Sequence, residues 1–240
     1  MKILLVSDDF PPIKTTSVSS VAFNLAKGLL NYGHEVLVIT SVQDKSQVGE
    51  EVYEGIKIFR IYAFDYHIRW QAWLSLFNPQ VITNFKRIIQ KINPDVVHFH
   101  NIHKYISYYS FKIAKQYSKS TFLTAHDVML FHYSKSIEFI DQSNLEAQSN
   151  FNYKINFWAI IRRFKKRYNP FRNIIIKHYL RYIDKIFAVS NELKKALVQN
   201  DIKNVEVISN GINVDSWIVS DNKIDEFKNK FDLKNKKIVL

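Results

Sequence analysis

Polar side chains able to do chemistry gather just past short apolar runs in this 240-residue chain. His98, His100, Asn101 and His103 lie along or just after the run that starts at Val96, and His126-Asp127 follows Thr121 to Ala125. An imidazole can hydrogen-bond a hydroxyl and carry a proton near neutral pH, so His126 is a candidate for handling a substrate hydroxyl. A loop-capping His beside an Asp that closes an Asx turn is the alternative, and these two residues alone do not choose between them. His98 and His100 alternate with Phe99, which puts both rings on one face of a strand. A zinc site would need three or four converging ligands, and no spacing rule recruits His103 or His126 to that pair, so no metal is expected. The absence of Cys excludes disulfide scaffolds, thiolate metal sites, Cys nucleophiles and iron–sulfur clusters. No Gly-x-Gly-x-x-Gly, Walker A or Gly-x-Ser-x-Gly pattern occurs, which argues against NAD enzymes, P-loop NTPases and α/β-hydrolases.

The apolar runs that must position these groups read as strands buried on both faces: Lys2 to Ser7, Val36 to Thr40, Val96 to His100, Thr121 to Ala125, Lys185 to Val189 and Val205 to Ile208. Helical spacing recurs between them. Val18, Val21, Ala22, Leu25, Ala26, Leu29 and Leu30 predict a first helix, with Ser17 as N-cap and Gly33 as stop. Further helices are expected over 80–92, 104–117, 174–183 and 190–199, and a hairpin around Glu54-Gly55. Alternating strands and helices define a doubly wound, mostly parallel α/β sheet over residues 1–217.

In such sheets ligands bind at the carboxyl ends of the strands. The loop from Asp8 to Ser17, entering a helix N-terminus, is therefore a candidate phosphate site, with Thr16 and Ser17 at its end. Ser190 and Asn210-Gly211 close two other strands, and the latter pair predicts a turn needing positive φ. Residues 222–235 read as a charged linker helix, and Lys236 to Leu240 as the first strand of a second domain that the chain is expected to lack.

Charge is uneven. Nine basic residues and no acidic one lie in 151–181, against a net charge of +12 for the whole chain. Arg162, Arg163, Lys165, Lys166 and Arg167 interleave there with aromatics, a composition suited to an anionic membrane surface or to a solvated basic helix. No nucleic-acid recognition motif is present, and no nucleic-acid partner is expected. No segment reaches 18 apolar residues, and the start of the chain lacks the longer apolar stretch of a signal peptide. A cytoplasmic location is expected, including contact with the inner face of the cell membrane.

Taken in order, five segments resemble one family. Met1 to Val6 with Phe10-Pro11-Pro12, Leu25 to Leu29 and Gly33 to Thr40 looks like the opening of the family 4 glycosyltransferases. Asn93-Pro94-Asp95-Val96-Val97-His98 looks like their "PDVVH" strand, and Thr124-Ala125-His126-Asp127 resembles their acceptor-side His segment. Ala188-Val189-Ser190 and Val207 to Asn213 resemble the segments that lead to their interdomain cleft.

The resemblance implies the N-terminal half of a GT-B fold, in which two Rossmann-like domains face each other across the active site. It implies a retaining, metal-independent transfer from a nucleotide-sugar co-substrate, with no cofactor, to a surface polysaccharide or lipid-linked acceptor. It places His126 near the transferred sugar, with Asp127, His100 and Asn101 on the acceptor side. Thr16 and Ser17 would approach the donor diphosphate, and Ser190, Asn210 and Gly211 would line the cleft. Two departures stand out. Thr16 and Ser17 occupy the positions of a common Gly-Gly pair, and the donor-binding domain with its basic pair and Glu-x7-Glu segment is expected to be missing from residues 1–240. Residues 1–240 alone are therefore expected to be inactive. The alternative is a non-catalytic peripheral membrane or partner-binding module that pairs with a separate C-terminal half.

Overall fold

The computed structural model describes residues 1–134, 151–212, 214 and 218–233. Met1–Asn210 is one compact unit and Gly211–Leu240 another. In the first, eight strands form one sheet in the order β3-β4-β2-β1-β5-β6-β7-β8. These are β1 (Lys2–Val6), β2 (Glu35–Val42), β3 (Gly49–Tyr53), β4 (Ile56–Tyr62), β5 (Val96–Phe99), β6 (Ser120–Ala125), β7 (Lys185–Ala188) and β8 (Val205–Val207). All pairings are parallel except that of β3 with β4.

The period-2 alternation of a strand divides β1 between two cores. Ile3 and Leu5 pack with Phe10, Ala22 and Ala26 on one face, beneath helix α1 (Ser17–Asn31). Leu4 and Val6 pack on the other face with Phe85, Ile89 and Phe111 from α3 (Pro79–Ile92) and α4 (Ser110–Tyr117). Covering both faces is what makes the central strands uniformly apolar. From β1 the chain winds outward to β2 on one side and later to β5 on the other. The switch point of the topology is therefore the gap beyond the carboxyl ends of β1 and β5, where such sheets leave a crevice.

Several elements depart from the expectations of the sequence. The N-cap of α1 is Thr16, not Ser17: its hydroxyl accepts from the Ser19 amide at 3.2 Å, and the Ser19 hydroxyl accepts from the Thr16 amide at 2.7 Å. Removing this capping box with Thr16→Ala should cost about 1 kcal/mol, read as a lower urea midpoint. The helix expected over 104–117 begins only at Ser110, because the amides of Lys104, Tyr105 and Ile106 are turned toward the Asp8 carboxylate. An unanticipated helix, α2 (Ile68–Leu74), precedes α3. The basic stretch 151–181 is not one helix but α5 (Phe157–Phe164), a 3-10 turn (Lys165–Arg167) and α6 (Arg172–Leu180).

Gly33 does end α1 with φ +77°, and Glu54 and Gly55 form the hairpin turn with φ 51° and 81°. Gly211 does not adopt positive φ, so the turn expected at Asn210-Gly211 is not formed. Ser190 caps α7 (Asn191–Gln199) as expected, accepting from the Leu193 amide at 3.2 Å. The second unit contains α8 (Asp221–Lys230), which buries none of its residues. The strand expected from Lys236 to Leu240, and residue 217 at the expected domain boundary, lie outside the described residues.

Candidate functional site

A cavity of about 390 Å³ opens at the switch point. Ser7, Asp8 and Asp9 reach it from the end of β1, and Asn101, His103, Lys104 and Tyr105 from the end of β5. Thr16 and Ser17 bring the N-terminus of α1 to it, Met129 and Tyr133 come from beyond β6, and Ile68, Gln71, Phe164 and Arg167 form the outer wall. The mixture of hydroxyls, amides, aromatic rings and charged side chains, with Lys14 paired to Asp9 and Lys104 to Asp65, suits a polyhydroxylated ligand with an apolar face.

Asp8 organises this rim. It is buried, and its carboxylate accepts from the amides of Lys104 at 2.8 Å, Tyr105 at 3.2 Å and Ile106 at 2.7 Å. Its backbone carbonyl accepts from the hydroxyls of Thr40 at 3.1 Å and Ser41 at 2.8 Å. Burial outweighs the amide bonds and pushes its carboxyl up to about 6. A second tie holds the segment after β6. Arg172 is 1% exposed, its guanidinium lies 6.0 Å from the Tyr108 ring and 5.7 Å from the Tyr133 ring, and it donates to the Met129 carbonyl.

The histidines form a file rather than a metal cage. His98 hydrogen-bonds the Thr124 hydroxyl at 2.8 Å, and its ring stacks on His100 at 4.8 Å and 27°. His100 Nδ1 meets His126 Nε2 at 3.0 Å, with rings stacked at 5.3 Å and 24°. Burial, reinforced by the neighbouring imidazoles, lowers His98 to about 4 and His100 well below its ordinary value. These two rings are therefore neutral at physiological pH. Among the described residues, no group of three or more His, Asp or Glu is arranged to hold a metal ion.

Asp127 is shared between both sequence-level readings. It accepts from the Met129 amide at 2.9 Å, which is the Asx turn. It also accepts from Asn101 Nδ2 at 3.4 Å and lies 3.4 Å from His103 Nε2. The other His103 nitrogen hydrogen-bonds the buried Tyr108 hydroxyl, whose proton burial holds tightly.

The structure thus brings Asn101, Thr16, Ser17 and Arg167 to the cavity. Asp127 stands behind Asn101 and His103. His126 is half-buried and hydrogen-bonded to His100, which is 1% exposed; neither is among the residues that line the cavity. Ser190 lies at the end of β7, exposed, with its hydroxyl engaged in capping α7. Asn210 ends the first unit and Gly211 begins the second. Arg162, Arg163, Lys165, Lys166 and Arg167 are all exposed. Lys14, Lys104, Tyr105, Tyr133, Gln71 and Arg172 were not signalled by any local motif; they converge only through the fold.

The fold and its crevice define a Rossmann-like α/β unit of the GT-B type. Residues 18–216 match the family model of Glycosyltransferase Family 4, and the chain belongs to that family. Over 146 residues it is 28% identical to an "Uncharacterized 42.6 kDa protein in cps region" of Klebsiella pneumoniae, covering 55% of this chain and 38% of that protein. Sucrose-phosphate synthase from Thermosynechococcus elongatus superposes with a TM-score of 0.62 at 15% identity, over 94% of this chain and 52% of that one. The catalytic domain of starch synthase IV from Arabidopsis thaliana, bound to ADP and acarbose, gives 0.50 at 16% identity over 90% and 52%. At these identities the likeness to solved structures is one of fold. The chain spans about half the length of these two structures and less of the curated relative. Among the described residues no helix is long and apolar enough to cross a membrane.

Proposed function

We propose that this chain is the acceptor-binding half of a retaining, metal-independent glycosyltransferase that moves a sugar from a nucleotide-sugar to a polysaccharide or lipid-linked acceptor. The observation that carries this reading is the cavity at the β1/β5 switch point, walled by hydroxyls, amides and aromatic rings. Family membership supports the reaction class. A facing lobe would bring the activated sugar, and groups on that lobe would stabilise the departing diphosphate. Thr16 and Ser17, at the start of α1, would meet the donor phosphates from this side. His126, held through Nε2 by His100, would orient against the transferred sugar and acceptor hydroxyl. Asp127 would fix Asn101 and His103 at the acceptor rim, and Ser190, Asn210 and Gly211 would border the cleft. The reaction would take place in the cytoplasm.

The test is transfer of radiolabelled sugar from a panel of nucleotide-sugars, with a complete two-lobed form compared with residues 1–240. The two-lobed form should transfer with retention at the anomeric carbon, and His126→Ala should lower kcat about 100-fold. Residues 1–240 alone should give no turnover. Transfer at full rate by His126→Ala would remove His126 from the mechanism, and transfer by residues 1–240 would show that no facing lobe is needed.

A further inference from the structure

Trp70, Trp73 and Trp158 are three of the four tryptophans in the chain, and they stand exposed at 54%, 48% and 71%. Tryptophan is usually largely buried, and exposed aromatics that cluster mark a surface built for a partner. On α2 the apolar side chains are arranged in two directions. Ala72 is buried and Gln71 faces the cavity, while Trp70 and Trp73, at i and i+3, are exposed, and Phe77 is exposed just past the end of the helix. α2 packs against the Lys165–Arg167 turn, and the two share the outer cavity wall through Ile68, Gln71, Phe164 and Arg167. The adjoining surface exposes Arg162, Arg163, Lys165 and Lys166 beside Phe157 and Trp158. No acidic residue occurs in 66–80 or in 151–181.

We propose that α2 and the α5–turn segment together form one docking surface for an anionic lipid bilayer, with the mouth of the cavity set against the headgroups. Indole rings settle at the apolar–polar boundary of a bilayer, and a basic patch around them is drawn to anionic headgroups. Charge complementarity selects an anionic surface over a zwitterionic one, and the outward aromatic stripe needs an apolar layer that ions in solution cannot supply. Since the cavity wall and the docking surface are the two sides of the same segments, the acceptor is lipid-borne and enters from the headgroup plane. That last step rests on the glycosyltransferase reading above; the docking does not.

The test is co-sedimentation of the 240-residue protein with unilamellar vesicles of phosphatidylcholine alone or mixed with phosphatidylglycerol, while tryptophan emission is recorded. Binding should require phosphatidylglycerol and should weaken sharply from about 0.1 M to 1 M salt. Emission should shift to the blue and be quenched by lipids brominated high on the acyl chain. The double variant Trp70→Ser, Trp73→Ser should bind about tenfold more weakly with most of the quenching gone, and Arg162→Glu, Arg163→Glu should lower binding at least as much. Quenching in the unaltered protein serves as a readout that no substitution can confound. Failure to sediment, equal binding to phosphatidylcholine, or unquenched emission would each overturn the proposal. So would capture of a nucleic acid that competes the vesicles away. A two-lobed form that ignores vesicles yet transfers sugar to a soluble acceptor would refute the docking alone; a two-lobed form that docks yet never transfers sugar would refute the glycosyltransferase reading alone.

Discussion

Asp8→Ala should destabilise the protein by about 3 kcal/mol, because three inward-facing backbone amides lose their acceptor at once. Each of the Lys104, Tyr105 and Ile106 amides points to this carboxylate, and the segment carrying them has no helical or strand partner to substitute. Part of the cost is returned by water entering from the cavity, which keeps the figure below the full sum of three orphaned donors. Asp8→Asn should cost less, since the amide oxygen still accepts on one side while its NH₂ opposes an N–H on the other. Urea unfolding of the three proteins measures the order. Equal stabilities would mean that the rim after β5 is held by something else.

The second large effect is on acid stability. His98 and His100 are buried beside one another and beside His126, and His98 is lowered from 6.5 to about 4. Between those values the unfolded chain binds a proton at His98 that the native state refuses. Stability therefore rises with pH across the window, by roughly 3 kcal/mol for His98 alone, with His100 adding in the same direction. Asp8 runs the opposite way: raised from 3.8 to about 6, it is protonated in the native state where the unfolded chain is not, so its contribution falls by roughly 3 kcal/mol as pH rises through that range. Asp8 and His98 nearly cancel, and His100 leaves a net gain in stability from pH 4 to 6.5. His98→Gln, which retains a partner for the Thr124 hydroxyl, should flatten or reverse the slope, and Asp8→Asn should steepen it. Urea midpoints followed over that range give both slopes; a wild-type curve that falls between pH 4 and 6.5 would contradict this assignment.

The sheet was legible because burial on two faces leaves a plain record: Ile3-Leu4-Leu5-Val6 can be apolar throughout only if both sides are covered. The strand-end rule likewise points from the sequence to Asn101, His103 and the Asp8–Ser17 loop. What escaped was set by distance in sequence. The segment over 104–109 has helical spacing, yet a carboxylate nearly a hundred positions earlier takes its amides. α2 was hidden because its apolar stripe faces outward, so the residues that mark an ordinary helix are not those that anchor this one. Arg172 looks like its basic neighbours in sequence, and only its burial between Tyr108 and Tyr133 separates it from the exposed cations around it. Thr16 and Ser17 differ by one position, within the uncertainty of any cap read from residue types.

The most direct measurement is a backbone amide map of the ¹⁵N-labelled 240-residue protein titrated with a panel of methyl glycosides and glycosyl phosphates. Shifts confined to Thr16, Asn101, His103, Tyr105 and Tyr133, and saturating with at least one sugar, are the predicted result. Saturable shifts that fall on another part of the sheet, with these five amides unmoved, would contradict the claim that the β1/β5 crevice holds the acceptor.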